Sequence, residues 1–315
     1  KLGDKDAVPE ISAMLLRNAN SDAFLRHAGV MALTLLNHEP SLAALAKHQS
    51  PVLRLASLLA YRRLESAKLA GFLRDDDASV VVEAARAIHD LRLLPAMAEL
   101  AQLATEKLLI NSDDPQTSYA LHRRVINANL LLGEAHNAVA LAQYAATESN
   151  PVTMRELALS SLQEFSAPPV ADKVWGDHWE LPVRESAVVH EALDEFVPQL
   201  LDGELGEQAL EVALAYDRLP LSTEELSAVI KDDEASPAKR VASLQALQRS
   251  VKEGGDLQLY YSAVENALNS KAPALRSIAL SMLATQDAER AADLASETAK
   301  ATRSVEKGET LQERQ

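Results

Sequence analysis

One spacing recurs along the chain and constrains its fold more than any other feature. A capping residue, often followed by proline, precedes an aliphatic residue and an arginine. Mostly small residues then stand three and six positions after the arginine, with an apolar residue at seven. Ser50-Pro51-Val52-Leu53-Arg54 leads to Ser57, Ala60 and Tyr61. Ser236-Pro237-Ala238-Lys239-Arg240 leads to Ser243, Ala246 and Leu247, and Pro273-Ala274-Leu275-Arg276 to Ala279, Met282 and Leu283. Asn150-Pro151 leads to Arg155, Ala158, Ser161 and Leu162, and Leu25-Arg26 to Gly29, Ala32 and Leu33. Asp77 to Ile88 fits the same frame with Val81 at the arginine position, and weaker copies surround Arg124, Arg184 and Glu207.

The physics of this unit is helical. Ser, Asn or Asp at the N-cap accepts hydrogen bonds from orphan backbone N–H groups, and proline at the first helical position forfeits none. A stripe of small residues lets neighbouring helix axes approach closely. Each copy follows a shorter apolar segment: Pro9–Leu16, Ser41–Lys47, Lys68–Leu73, Pro95–Leu103, Ala138–Ala145 and Thr223–Ile230. These read as the first helix of a pair, and Ser222 with Glu225 makes a capping box for the last of them. The marks lie roughly 23 to 43 residues apart, about 31 on average, which is the range of two-helix HEAT and armadillo repeats. The expected fold is all-α, a right-handed α-solenoid of about nine HEAT-like helical pairs. Stacked at roughly 10 Å per pair it would run about 90 Å, whereas a single globule of this length has a radius of gyration near ~20 Å.

Composition supports helices and excludes several classes of function. Aromatic residues are 4% of the chain and glycine occurs only 10 times, against what Gly-rich sandwiches, barrels and propellers need. Lys and Arg number 31 against 46 Asp and Glu, a net charge of −15, so a nucleic-acid backbone is not an expected partner. No apolar run reaches the length of a membrane span, and membrane insertion is not expected. Cysteine is absent, which excludes disulfides, thiolate chemistry, Cys-ligated metals and Cys-x-x-Cys-His haem attachment within these residues. The chain starts without methionine or a secretory signal and both ends are polar, so it reads as a segment truncated at both ends.

Little in the sequence points to chemistry. The eight histidines form no zinc spacing, and no phosphate-binding or nucleophile-elbow motif occurs. His89-Asp90 and His122-Arg123 lie in Ala/Leu-rich helices and read as hydrogen-bonded structural histidines. The runs Asp75–Asp77, Asp113-Asp114 and Asp232–Glu234 lack the alternation and closing glutamate of a calcium loop, and read as helix caps. No catalytic residue, cofactor or metal site is expected.

Two features carry the interaction reading. The arginines Arg26, Arg54, Arg155, Arg184, Arg240 and Arg276 sit near helix N-termini, where a cation needs compensation. They read as a structural ladder in which each bonds a carboxylate or loop carbonyl of the adjacent repeat, with a ligand-binding row as the alternative. The pattern also breaks at Leu109–Gln116 and at Ser166–Pro182. The second break holds Pro168-Pro169 and both tryptophans, in Trp175-Gly176-Asp177-His178-Trp179. It reads either as a loop folding its rings over a hydrophobic edge or as a contact surface. Trp175, His178 and Trp179 are the candidate interaction residues, because tryptophan is favoured as an interface anchor. The expected organisation is HEAT-like repeats over 1–165, an insertion loop over 166–182, and further repeats over 183–315.

Three stretches carry a more specific resemblance. They are Ser50 to Leu91, with Arg-Leu-Ala-Ser-Leu-Leu-Ala (54–60) and Val-Glu-Ala-Ala-Arg-Ala-Ile-His-Asp-Leu (82–91); Leu121 to Asn129, followed by Leu132-Gly133; and Asp172-Lys173-Val174-Trp175-Gly176 with Trp179 and Pro182-Val183-Arg184. Together they resemble the HEAT-repeat region of large exported bacterial sorbosone/glucose-dehydrogenase-like proteins, which join a β-propeller, this region and a c-type cytochrome domain. The resemblance implies an extracytoplasmic location and a non-catalytic scaffold serving as the arm of a sugar-dehydrogenase/cytochrome protein. It transfers no catalytic residue, since the propeller and the haem pentapeptide have no counterpart here. Its implied partner is a neighbouring domain of the same polypeptide. A free-standing adaptor that binds a peptide or helix on a concave face is the second reading, and a HEAT-like bilin lyase a third, for which no chromophore cluster is visible.

Overall fold

A computed structural model describes residues 4–106, 115–201, 203–218, 221–252, 254–286 and 292. These residues are helical, with no strand among them beyond one isolated antiparallel bridge between Ala171 and His178. The chain divides into two compact units, Lys1–Ala192 and Leu193–Gln315. The 166–182 segment lies inside the first.

In the first unit the helices are α1 (Val8–Asn18), α2 (Ala23–Leu36), α3 (Glu39–Ala46), α4 (Pro51–Arg63), α5 (Ala78–Asp90), α6 (Leu94–Gln102), α7 (Pro115–Leu132), α8 (Ala135–Ala146) and α9 (Val152–Gln163). Helix α1 packs on α2, α3 on α4, α6 on α7 and α8 on α9. The second helices also pack on one another in order, α2 on α4, α4 on α5, α5 on α7 and α7 on α9. The segment before α5, Ala67–Phe72, is a 3₁₀ helix rather than an α-helix. Gly71 within it and the acidic run that follows leave too few residues for α-helical turns to propagate.

The small-residue stripe lies where these helices meet. Ser57, Ala60, Ala84, Ala87, Ala158 and Ser161 are fully buried. Ser57 satisfies its hydroxyl by donating to the Leu42 carbonyl at 2.8 Å. Gly29 is the extreme case: a Cβ there would come within 2.7 Å of the Leu15 side chain, so α1 and α2 could not close as they do.

Caps explain where helices begin. Asp22 and Asp77 each accept two backbone N–H groups of the first turns of α2 and α5. The short supply of glycine is met by other residues at helix ends. Glu65 and Arg92 adopt left-handed backbone angles, φ 49° and 54°, after α4 and α5. In each case the next residue's N–H closes on a carbonyl five residues back, Ser66 to Tyr61 and Leu93 to Ile88, the pattern of a Schellman end.

The second unit holds most of α10 (His190–Leu200), then α11 (Gly206–Ala215), α12 (Thr223–Lys231), α13 (Pro237–Lys252), α14 (Leu257–Leu268) and α15 (Pro273–Gln286). Helix α12 packs on α13 and α14 on α15, while α13 touches both α11 and α15. The expected capping box is present: Ser222 accepts from the Glu225 N–H and Glu225 accepts from the Ser222 N–H. The core gathers Ile230, Leu244, Leu247, Tyr260, Ala263 and Leu275. Among the described residues no helix is long and apolar enough to cross a membrane.

Candidate interaction surface

The arginine row comes first, because it fixes the helix turns. Arg54 is held by four bonds. Nε and one terminal nitrogen reach the two Asp75 oxygens at 2.7 Å each, and the other nitrogen donates to the His48 and Gln49 carbonyls at 2.9 Å each. Arg276 repeats the second half, donating to Ser270 and Lys271 carbonyls. Arg155 and Arg240 send Nε to the carbonyls of Ala145 and Ile230, each ten residues upstream, at 2.7 and 2.9 Å. Arg240 also pairs with Asp233 at 2.9 Å. Arg26 has only a 3.5 Å approach to the Asn20 carbonyl.

Most of these bonds go to the turn before the arginine's own helix, not to an adjacent pair. The reason is geometric. Side chains on a helix lean toward its N-terminus, so an arginine in the first turn reaches back over the preceding turn. There it meets the carbonyl end of the previous helix, whose negative dipole offsets the positive one at its own end. Of the acidic runs, Asp77 caps α5, whereas Asp75 and Asp233 serve as arginine partners. Asp113-Asp114 lie outside the described residues.

Arg184 does not belong to this row. It stands in non-helical chain after the insertion and donates to the Phe165 carbonyl at 2.7 Å and the Leu130 carbonyl at 2.8 Å. It thereby closes the C-terminal ends of both α9 and α7.

The insertion is built as a small hairpin. Asp172 N–H donates to the Asp177 carbonyl, Trp179 N–H to the Val170 carbonyl and Gly176 N–H to the Asp172 carbonyl, each at 2.8 Å. Gly176 turns the chain with φ 78°. One oxygen of Asp172 accepts the N–H groups of Val174 and Trp175, both at 2.8 Å. The other faces inward, where the Asn127 amide donates to it at 2.5 Å.

Behind Asp172 lies a polar network shared by α5 and α7. Asn127 Nδ2 also stands 2.8 Å from His89 Nε2, and His89 Nδ1 lies 3.0 Å from Asp90. With Asn127 donating to Nε2, the imidazole proton sits on Nδ1 and points at the Asp90 carboxylate. Arg124 grips that carboxylate through two nitrogens at 3.0 and 3.1 Å. Burial tends to raise the Asp90 pKa. The hydrogen bonds from His89, Arg124 and the Trp175 indole, with the Arg124 charge, outweigh it and hold the group at about 2. His122 is also satisfied, at 2.6 Å from the Tyr144 hydroxyl.

Both tryptophan rings meet guanidinium groups. Arg92 lies 4.3 Å over the Trp179 ring and donates to the His178 carbonyl at 3.1 Å. Arg124 stands 5.9 Å from the Trp175 ring. Lys173 reaches Ser160 and Glu164 on the far side, and its carbonyl accepts from Arg123. Trp175 is left 62% exposed, with His178 beside it in solvent. Trp175, His178 and Trp179 thus share one hairpin, which is fixed through Asp172, Asn127, His89 and Arg92. Of these, the sequence points to His89 as a hydrogen-bonded structural histidine but assigns no role to Asp172, Asn127 or Arg92. Their signal was faint: an aspartate two residues before an N–H pair, and asparagine inside an apolar helix.

Residues 50–91, 121–133 and 172–184 meet here, through His89-Asp90, Arg124 with Asn127 and Gly133, and Asp172 with Arg184. Among the described residues no group of three or more His, Asp or Glu is placed to hold a metal ion. Compared with known proteins, the chain matches no family model, and no curated protein aligns with it significantly.

Proposed function

We propose that this chain is a non-catalytic helical-repeat scaffold of the HEAT type, whose work is to present a protein-binding surface. The α-solenoid reading rests on the order of helix packing within each unit, in which α2, α4, α5, α7 and α9, and then α11, α13 and α15, touch one another in series. An array of that kind has no single centre, and each pair buries its apolar side against its neighbours. The observation that carries the functional reading is the tryptophan hairpin. An exposed Trp175 is mounted on a buried network of charge-assisted hydrogen bonds, so it is preorganised for a partner without loop ordering on binding.

Read with the family resemblance, the partner is a neighbouring domain, and the chain is the arm of an extracytoplasmic sugar-dehydrogenase/cytochrome protein. An open groove lined by Arg26, Leu59, Arg62, Arg63 and Leu91 favours a second reading, an adaptor that receives a peptide from another protein. Both give the hairpin the same task.

Asp172→Ala tests it. Removing this carboxylate frees Val174 N–H, Trp175 N–H and the Asn127 amide. The loop should detach while the helices remain, read as unchanged far-ultraviolet circular dichroism with altered tryptophan emission and faster proteolysis after Lys173. Docking of the partner domain should then weaken, as it should on deleting residues 170–179. Docking unaffected by both changes would refute the hairpin as the contact surface.

A further inference from the structure

Helices α2, α4 and α5 enclose an open groove. One part, about 650 Å³, runs from Arg26 and His27 on α2 past Leu59, Arg62 and Arg63 on α4 to Leu91 after α5. A smaller part, about 280 Å³, continues from Arg26 and Leu59 to Leu55, Glu83 and Arg86. Leu91, at one end of the groove, precedes in the chain Arg92, the residue stacked on Trp179.

The charge of this groove runs against the rest of the chain. Four arginines line it against two glutamates, Glu65 and Glu83, in a protein of net charge −15. Glu83 is shared: it pairs with Arg62 at 2.5 Å and stands 3.7 Å from Arg86. Arg63 is exposed and has no carboxylate partner among the described residues. Among the described residues Arg26 has only its long carbonyl contact. The positive charge is therefore under-compensated, in a concave setting that strengthens its field. Between the arginines the floor is aliphatic, from Leu55 and Leu59. Apart from His27, no ring stands among the residues that line the groove, so it lacks the run of aromatic side chains on which successive nucleobases stack.

We infer that the groove between α2, α4 and α5 is a docking site for an acidic, leucine-bearing peptide segment of a partner protein. Its carboxylates are received by Arg26, Arg63 and Arg86 and its apolar side chains by Leu55 and Leu59. Arginine suits this task because its planar fork takes a carboxylate through two parallel bonds. The inference rests on the scaffold reading above and names the chemistry of its partner.

The test uses the whole chain and a fluorescein-labelled peptide of repeated Glu-Glu-Leu units, with Lys-Lys-Leu and Gln-Gln-Leu counterparts, followed by anisotropy at low and high salt. The acidic peptide should bind, the basic one should not, and affinity should fall as salt rises. Arg63→Glu with Arg86→Glu should weaken binding on the order of tenfold, while Lys231→Glu in the second unit should not. Both groove residues are exposed, so folding should persist; Arg63→Gln alone provides a milder variant with a smaller loss in the same direction. Equal affinity for acidic and basic peptides, or undiminished binding by the charge-reversed protein, would overturn the proposal. So would displacement of the peptide by phosphatidylglycerol vesicles or by a single-stranded oligonucleotide at lower concentration than unlabelled peptide. Small-angle scattering on the same samples separates the two levels. A compact radius of gyration would sink the repeat-array reading, and an elongated protein that does not discriminate among peptides would sink only the groove.

Discussion

The guanidinium of Arg184 occupies the space that a side chain on Gly133 would fill: a Cβ there would stand 2.1 Å from the guanidinium carbon. Gly133 also has φ 74°, the left-handed conformation that ends α7. Two demands, backbone and space, thus fall on one position, and Arg184 uses the gap to reach the Leu130 and Phe165 carbonyls.

Gly133→Ala should therefore cost more than backbone strain alone, about 1–2 kcal/mol, because it also expels Arg184 from its bonds. A total loss of about 3 kcal/mol or more is expected. In an Arg184→Ala background the same substitution should cost only the strain. Urea denaturation of the double-mutant cycle reads the coupling, and strict additivity would show that the two residues act separately.

The arginine row should be unequal. Arg54→Ala removes four bonds, two to a carboxylate that is almost wholly buried, and should destabilise by about 2–4 kcal/mol. Arg54→Lys should recover less than half, since one ammonium cannot span Asp75 and both turn carbonyls. Arg26→Ala, with a single long contact, should cost under about 0.5 kcal/mol. Equal losses at Arg54 and Arg26 in chemical denaturation would refute a structural hierarchy within the row.

Stability should fall with acidity in two windows. Burial depresses the His122 pKa from 6.5 to about 4, so the folded protein keeps this ring neutral where the unfolded chain protonates it. Its contribution is fully present above pH 6.5 and is lost as pH falls toward 4, on the order of 3 kcal/mol in all. Asp90, held at about 2, adds a second loss that begins below pH 4 and runs to about 2. Denaturation midpoints of wild type and His122→Phe between pH 7 and 4.5 check the first window. The variant starts lower, because the Tyr144 hydroxyl loses its partner, but its slope should be nearly flat. Parallel slopes would assign the acid sensitivity elsewhere.

Much of the local structure was legible in advance. Asp77 before Val80, Ser222 before Glu225 and the small pairs Ser57/Ala60 and Ser243/Ala246 each announce a helix start or a packed stripe, because capping and close approach act within one or two turns. Arg184 was misplaced in the helical frame. The same residue types follow it, but Pro182 just before it and the Phe165 and Leu130 carbonyls hold it in extended chain.

What the sequence determined by itself was the helical class, where most helices begin, and which stripe of each is small enough to be covered, since these depend on contacts between residues a few positions apart. Only the tertiary structure decided what the arginines bond, which oxygen of Asp172 meets Asn127, and that Arg92 closes on Trp179. The Asn127–Asp172 and Arg92–His178 bonds join residues 45 and 86 positions apart, and side-chain bonds of that reach depend on how helices stack, which no local spacing encodes.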